Sequence, residues 1–513
     1  MGLTFFLVFT DAWERIPSQV AQTLARTQFV PSIVAHVAGA GLAIGAGFIL
    51  LATLLWGRVY CSVLCPLGLY QDFIWWLRKK VRSAGRLPFM KEVRALRWSV
   101  LVVSLAGTLV SGGMALAWFD PYSLFGRISS TVFRDAVIRL SNSLAPLMAQ
   151  TGLPGWYHTE PVWQWTAATV CTLILLLLVT ALAVWRGRLY CNTVCPVGTL
   201  LGWLANGARW QLRLQSTRCH KCARCLEACR AQCIDLRKQK VDFSRCVLCL
   251  DCLAICPEQG FQFARVGTLF RSARGTESET IPNPGRRSFL WTFLSGLGAR
   301  IVTGPSLFAE ASGSKESDTA DLVAAGPIAS LPITPPGSKG VHHFLRHCTA
   351  CGLCVTACPT RVLEPAGLQF GLIAFLRPRM NYHRSYCNFD CHRCGKVCPT
   401  GAIHALPLAE KQLTKVGEAI LKLDLCVVVR QGTDCAACSE HCPTQAVTTK
   451  PYRDQLRVPE LHPSLCIGCG ACEYACPVRP ERAITVQGFV HHGKAERRVD
   501  TPPPVRPPAD FPF

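Results

Sequence analysis

Cys246-Val247-Leu248-Cys249-Leu250-Asp251-Cys252-Leu253-Ala254-Ile255-Cys256-Pro257 decides how the chain is to be read. Its spacing, C-x₂-C-x₂-C-x₃-C-P, is the run with which small bacterial iron–sulfur domains hold [4Fe–4S] clusters. Three cysteines on a tight loop wrap three irons of one cube, and the fourth reaches a neighbouring cube. The proline suits the first turn of the helix that follows, where no N–H is needed.

The same spacing recurs in both directions from this run. Cys219, Cys222, Cys225 and Cys229 share it, with Arg230 in place of proline. Cys348, Cys351, Cys354 and Cys358 match and are followed by Pro359. Cys387, Cys391, Cys394 and Cys398 carry one extra residue in the first gap, then Pro399. Cys426 is separated by eight residues from Cys435, which leads into Cys438, Cys442 and Pro443. Cys466, Cys469, Cys472 and Cys476 match, with Pro477. These 24 cysteines predict six [4Fe–4S] clusters. Zinc uses two well-separated C-x₂-C pairs, which four-cysteine runs ending in Cys-Pro do not resemble. A disulfide framework belongs to short secreted chains and needs no repeated local spacing.

Ligation is expected to cross over in the first pair of runs: Cys219, Cys222 and Cys225 with Cys256, and Cys246, Cys249 and Cys252 with Cys229. In the second group the extended gaps sit in the middle two runs. That favours pairing the first run with the fourth and the second with the third.

The chain has 513 residues, 30 cysteines, half its residues hydrophobic and a formal net charge of +22. Such a charge often marks nucleic-acid or anionic-lipid binding. Here each oxidised cluster with its four thiolates brings about −2, so six offset roughly 12 charges. Much of the rest flanks hydrophobic helices, where it sets topology. No nucleic-acid partner is expected.

Residues 31–57, 98–119 and 163–185 are free of Asp, Glu, Lys and Arg. Each exceeds the ~20 residues needed to span a bilayer. The segment 58–97 carries nine Lys or Arg and two acids, whereas 120–161 carries three of each. Positive-inside bias puts the first in the cytoplasm and the second outside. The first and third stretches end in one repeated unit. Gly57-Arg58-Val59-Tyr60-Cys61-Ser62-Val63-Leu64-Cys65-Pro66-Leu67-Gly68 matches Gly187-Arg188-Leu189-Tyr190-Cys191-Asn192-Thr193-Val194-Cys195-Pro196-Val197-Gly198. The repeat puts Cys61, Cys65, Cys191 and Cys195 at one membrane face. They could ligate a further metal centre, form thiol pairs, or be incidental to a helix exit; thiolates are what soft metals require. Repetition also predicts a helix before residue 31. Residues 3–10 are too short to span, so the expectation is that the true start lies upstream.

The fold class expected is an α-helical membrane bundle of three full spans plus a truncated first helix, with two α+β ferredoxin-like [4Fe–4S] domains. The boundaries are 1–210 for the membrane helices, 211–271 for a two-cluster domain, 272–340 for a linker, 341–490 for a four-cluster domain, and 491–513 for a Pro-rich tail. In the linker, Arg286-Arg287-Ser288-Phe289-Leu290, an apolar run and Ala309-Glu310-Ala311 look like a twin-arginine export signal. An amphipathic linker helix is the plainer alternative. Gly39, Gly41, Gly45 and Gly47 read as small-residue helix packing rather than a dinucleotide loop. His36 could take a proton or ligate haem, but a packed, hydrogen-bonded histidine is the simpler reading. Asp120 carries the same two readings, the plainer being that Asp-Pro simply ends a helix. Cys171 and Cys233 read as structural.

The first part resembles the NapH and MauN family: several spans, two C-x₃-C-P motifs and a two-cluster domain, with Trp118-Phe119-Asp120-Pro121-Tyr122-Ser123-Leu124-Phe125-Gly126-Arg127 adding to the match. The second part resembles the NapG and MauM family, through the twin arginines, Pro335-Pro336-Gly337 and Phe344 ahead of four cluster motifs. The resemblance implies a fusion of the two. It implies quinol oxidation at the bacterial inner membrane and electron delivery to a periplasmic acceptor such as a cytochrome or a reductase. The first cluster domain would be cytoplasmic and the second periplasmic. A redox assembly factor for a periplasmic metalloenzyme is the alternative.

Overall fold

The computed structural model describes residues 2–11, 16–81, 89–111, 114–150, 165–266 and 332–497. The twin arginines and the linker around them lie outside the described residues. Residues 1–265 and 330–513 form one unit.

Of the three expected spans, one is a single helix long and apolar enough to cross a bilayer: Ala167–Arg186, 20 residues. At 1.5 Å per residue it is about 30 Å long. It starts on the cap Thr166, whose hydroxyl accepts from Thr169 N at 3.2 Å. It ends at Gly187, where φ is +62°. The stretch 98–119 is helical in two described pieces, Arg94–Ser111 and Met114–Phe119.

The stretch 31–57 is not one helix. Phe29–Val37 and Ile44–Trp56 are separated by a break at 38–43. Glycine in a helix costs about 1 kcal/mol relative to alanine, and Gly39 takes φ +67° here. The released backbone is held by Arg26 Nη2, which donates to Ala40 O at 3.2 Å. A Cβ at Gly401 would sit 2.5 Å from that of Ala40. Of the four glycines, Gly45 serves helix packing, since a Cβ there would lie 2.4 Å from Arg26 O, whereas Gly39, Gly41 and Gly47 have no close neighbour. His36 is exposed rather than packed, with its Nδ1 3.4 Å from Gly41 O.

Each repeat folds as a descending helix, a glycine stop, a short rising helix and a returning helix. In the first these are Ile44–Trp56, Gly57, Val59–Val63 and Pro66–Val81; in the second, Ala167–Arg186, Gly187, Leu189–Thr193 and Pro196–Ala205. A Cβ on Gly57 would lie 2.7 Å from the Phe243 ring, and one on Gly187 would lie 2.6 Å from Arg230 O. Both stops therefore press directly on the first cluster domain. Asp120 starts a helix, Pro121–Ile128, accepting from Ser123 N at 2.8 Å and Ser123 Oγ at 2.6 Å.

The first cluster domain is closed by an antiparallel pair, Trp210–Leu214 with Phe261–Arg265. The second is built from two hairpins, Leu363–Pro365 with Pro378–Met380 and Val447–Pro451 with Arg457–Leu461. Thr414–Leu421 paired with Ile484–Lys494 joins its halves. This strand carries ordered structure past the expected limit of 490. At the other end, Ile333 O accepts from Met380 N at 2.9 Å, so the domain begins before 341. One continuous apolar core runs from the first cluster domain through the helices into the first half of the second domain.

Candidate electron-transfer site

All thirty cysteines are unpaired thiols, which excludes a disulfide framework. The first domain gathers its thiols in the crossed-over sets. Cys252 is surrounded by Cys246, Cys229 and Cys249, and Cys249 by Cys229 and Cys246. Cys225 neighbours Cys219 and Cys222. Cys256 Sγ accepts from Gly260 N at 3.3 Å, and Gly260 also lies against Arg218 O, beside Cys219.

In the second domain the expected pairing is wrong. Cys354 groups with Cys348, Cys351 and Cys398. Cys394 groups with Cys387, Cys358 and Cys391. Cys438 groups with Cys435, Cys426 and Cys476, and Cys472 with Cys469, Cys466 and Cys442. The first run therefore pairs with the second and the third with the fourth. The reason is local. The hairpin between runs one and two folds them onto each other, as does the hairpin between three and four. The irregular gaps do not alter this. The extra residue before Cys391 sits in a turn in which Asn388 Oδ1 accepts from Asp390 N at 2.9 Å. The long gap after Cys426 forms a small helix, Val427–Gln431.

The donor sets fit iron–sulfur cubes. Cys426, Cys435, Cys438 and Cys476 line one small apolar pocket, and Cys348, Cys351, Cys354 and Cys398 line another. Among the described residues no three His, Cys, Asp or Glu converge closely enough for a single metal ion. Burial above all pushes these thiols up: Cys225, Cys348 and Cys387 to about 11, and Cys249, Cys351, Cys438 and Cys469 to about 12. Neighbouring cysteines add to the rise in each of the seven. Such thiols ionise when a cation compensates them, and a coordinating metal does this outright.

Cys61, Cys65, Cys191 and Cys195 are all buried, at 3–4 % exposure. They share one electrostatic neighbourhood: Cys65 with Cys191 and Cys61, and Cys195 with Cys191, Cys65 and Cys61. Their sulfurs are well supplied with donors. Gln71 Nε2 donates to Cys191 Sγ at 3.1 Å, Gly198 N to Cys195 Sγ at 3.2 Å and Arg58 Nη2 to Cys61 Sγ at 3.7 Å.

Two links tie this quartet to the Cys246 group. Asn192 Nδ2 donates to Ala231 O at 3.1 Å, two residues after Cys229. Arg58 Nη1 donates to Ser244 O at 3.1 Å, two residues before Cys246, and to Asn192 Oδ1 at 2.9 Å. Arg230, standing where a proline was expected, pairs with Asp72 and Asp251, both at 2.8 Å. On the other side, Tyr190 Oη donates to Phe119 O at 3.0 Å. The adjacent Asp120 interacts with Tyr60 and Tyr190, and with Cys351 of the second domain. A Cβ on Gly126 would lie 2.2 Å from Cys351 O.

The model for a "4Fe-4S binding domain" matches residues 37–83 and 169–213, which are the two repeats. That for a "4Fe-4S dicluster domain" matches 338–402 and 433–479. Ferredoxin-type protein NapF of Escherichia coli (strain K12) is 30% identical over 163 residues, covering 32% of this chain and 88% of that protein. Methylamine utilization ferredoxin-type protein MauM of Methylorubrum extorquens is 30% identical over 220 residues, 40% of this chain and 89% of that one. The chain belongs to the ferredoxin-type Nap/Mau family. Ferredoxin-type protein NapH of Haemophilus influenzae adds 27% identity over 241 residues, 45% of this chain and 70% of its own. A ferredoxin-type protein with [4Fe–4S] domains is an iron–sulfur electron carrier, and the thiol groups above are the places in this family member where such clusters would sit.

The sequence reading passed over Asp72, Asn192 and the repeat arginines. Arg58 and Arg188 recur at one position of both units, and that recurrence was the available signal.

Proposed function

We propose that this protein is a membrane-bound wire that takes electrons from the quinol pool and passes them through six [4Fe–4S] clusters and the Cys61, Cys65, Cys191, Cys195 centre to a periplasmic acceptor, a cytochrome or a reductase. The observation that carries this reading is the position of the cluster domains at opposite ends of Ala167–Arg186. At its C-terminal end Gln232 Nε2 donates to Arg186 O at 3.0 Å and Arg186 Nη1 to Gln232 Oε1 at 3.2 Å. At its N-terminal end Ala168 packs with Ala350, Phe375 and Leu376. A bilayer core of about 30 Å is too wide for one electron hop, and the quartet lies between the two domains.

Membrane placement is supported by the surface. Phe48, Leu51, Val102, Val103, Ile174, Leu177 and Leu178 are exposed apolar side chains on the proposed spans. Apolar exposure of this extent marks a membrane or protein contact. Where Pro66–Val81 and Ala167–Arg186 end, Arg78 lies over Trp75, Lys80 over Trp76 and Arg186 over Trp185. Such an aromatic and basic belt belongs at a lipid–water boundary, with the basic side in the cytoplasm. The Cys219 and Cys246 clusters would then be cytoplasmic and the other four periplasmic, exported by the Arg286-Arg287 signal, in an inner-membrane protein.

The test is a reporter active only after export, fused after Ala311, with Arg286→Lys and Arg287→Lys in parallel. Export lost on substitution supports the reading. A reporter that stays in the cytoplasm puts every cluster in one compartment and ends it. Reduction of the purified protein's clusters by a naphthoquinol under anaerobic conditions tests the donor separately. A requirement for maturation of a partner enzyme without quinol-driven flux favours the assembly-factor alternative.

A further inference from the structure

The fourth cysteine of each run is the one that crosses to a neighbouring site, and its surroundings divide the six sites into two classes. Cys358 Sγ lies 3.6 Å from Thr360 Oγ1. Cys398 Sγ lies 3.7 Å from Thr400 Oγ1, and Cys442 Sγ lies 3.7 Å from Thr444 Oγ1. Cys229 Sγ lies 3.7 Å from Cys233 Sγ. Cys233 is 2 % exposed and also meets Cys246. A thiolate bound to iron carries no hydrogen, so in each pair the hydroxyl or the Cys233 thiol must donate. Among the described residues neither Cys256 nor Cys476 has such a side chain on its sulfur; Cys256 takes the Gly260 amide instead.

Assigned by crossover, the four donors fall on the Cys246 site (Cys233), the Cys348 site (Thr400), the Cys387 site (Thr360) and the Cys466 site (Thr444). The Cys219 and Cys426 sites have none. This division follows position. The Cys246 and Cys348 sites flank the membrane quartet. The Cys387 and Cys466 sites adjoin through Cys387 N, which donates to Cys469 O at 2.9 Å. The two sites lacking a donor are the two ends of the series.

We propose that Cys233, Thr360, Thr400 and Thr444 are redox-tuning residues that hold the four inner clusters at higher potential than the two end clusters. Gaining an electron takes a [4Fe–4S]²⁺ cube to the 1+ state and adds negative charge to its sulfurs. A hydrogen bond to a ligand sulfur stabilises that charge and raises the potential. Entry from one end cluster is then downhill and exit through the other is uphill, drawn by the acceptor. The inner four form a level stretch on which an electron is shared rather than trapped.

The inference rests on the six-site ligation, which iron analysis of the full-length protein checks by itself: six cubes give about 24 Fe per chain. Potentiometric titration of the purified protein, followed by EPR, reads the potentials. Thr444→Val removes one hydroxyl at near-constant shape. The account predicts unchanged iron content and a lowered midpoint for the Cys466 site alone, with its occupancy at fixed potential falling about tenfold, or ~59 mV for one electron. Thr444→Ser restores it. Cys233→Ala does the same at the Cys246 site, and Cys233→Ser restores it. Midpoints that do not move in either valine or alanine variant overturn the proposal, as do end sites that titrate above the inner four. A shift that serine fails to restore also overturns it, since the effect is then one of packing.

Discussion

Arg58 and Arg188 occupy the same place in the two repeats, and each reaches into the other: Arg58 Nη2 donates to Cys191 O at 3.2 Å, and Arg188 Nη1 donates to Cys61 O. Gly68 and Gly198 make room for this. A Cβ on Gly68 would lie 2.6 Å from Arg188 Nη1, and one on Gly198 would lie 2.8 Å from Arg58 Nη2. The repeats thus interlock by a pseudo-twofold exchange around the four thiols. Both guanidinium groups are almost fully buried, at 0–1 % exposure.

Asp72 balances one of them, pairing with Arg188 at 2.5 Å and with Arg230 of the first cluster domain at 2.8 Å. Removing one partner of a buried pair typically costs roughly 3–5 kcal/mol. Asp72→Asn is expected to lower the melting temperature in detergent by several degrees and to loosen the first cluster domain from the helices, seen as faster proteolysis between them. Lys450→Gln, at an exposed pair with Glu460, is expected to change little.

Ligand pairing in the second domain is open to a direct count. Cys348→Ser and Cys398→Ser remove the same cluster, so the double variant is expected to lose about four Fe, no more than either single variant. Cys348→Ser with Cys476→Ser is expected to lose about eight. The reverse result restores the pairing of the first run with the fourth.

Gly470 takes φ +81°, and a Cβ there would lie 2.1 Å from the Tyr382 ring. Tyr382 Oη donates to Gly468 O at 2.5 Å, tying the first half of the second domain to its last cluster run. Gly470→Ala combines a left-handed strain with a clash and is expected to destabilise this domain by about 1–3 kcal/mol, measured as earlier loss of cluster absorbance on heating.

Burial, with His491 alongside, holds His492 down to about 4, and its Nε2 meets Thr334 Oγ1 at 2.9 Å. The folded state binds this proton less well than the unfolded state, whose histidine titrates near 6.5. Its contribution is therefore present above pH 6.5 and is lost as pH falls toward 4. His492→Gln is expected to flatten the dependence of melting temperature on pH across that window while leaving the pH 7.5 to 8.5 range parallel to the parent.

The [4Fe–4S] domains were legible because iron–sulfur ligation is a local pattern. Cys246 to Cys256 and its copies declare themselves by spacing alone. What spacing does not carry is which run lies beside which: that is set by hairpins such as Leu363–Pro365 with Pro378–Met380, and the irregular gaps at Cys387 and Cys426 pointed the wrong way. Hydropathy marked residues 31–57 as one span because it sums side chains and does not see the backbone freedom that Gly39 and Gly41 bring. The repeat was plain in sequence, but its arginine exchange was not, since a buried arginine reads in sequence as a charge bound for water.

The central claim is that electrons pass between the two cluster domains through the Cys61, Cys65, Cys191, Cys195 centre. The direct measurement is to seal the full-length protein into liposomes, add dithionite outside, and follow cluster reduction by EPR in the parent and in Cys61→Ser with Cys195→Ser. The account predicts reduction of all clusters in the parent whichever domain faces out, and arrest at the outward domain in the variant. Complete reduction of the variant at the parent's rate, or arrest in the parent itself, would contradict it.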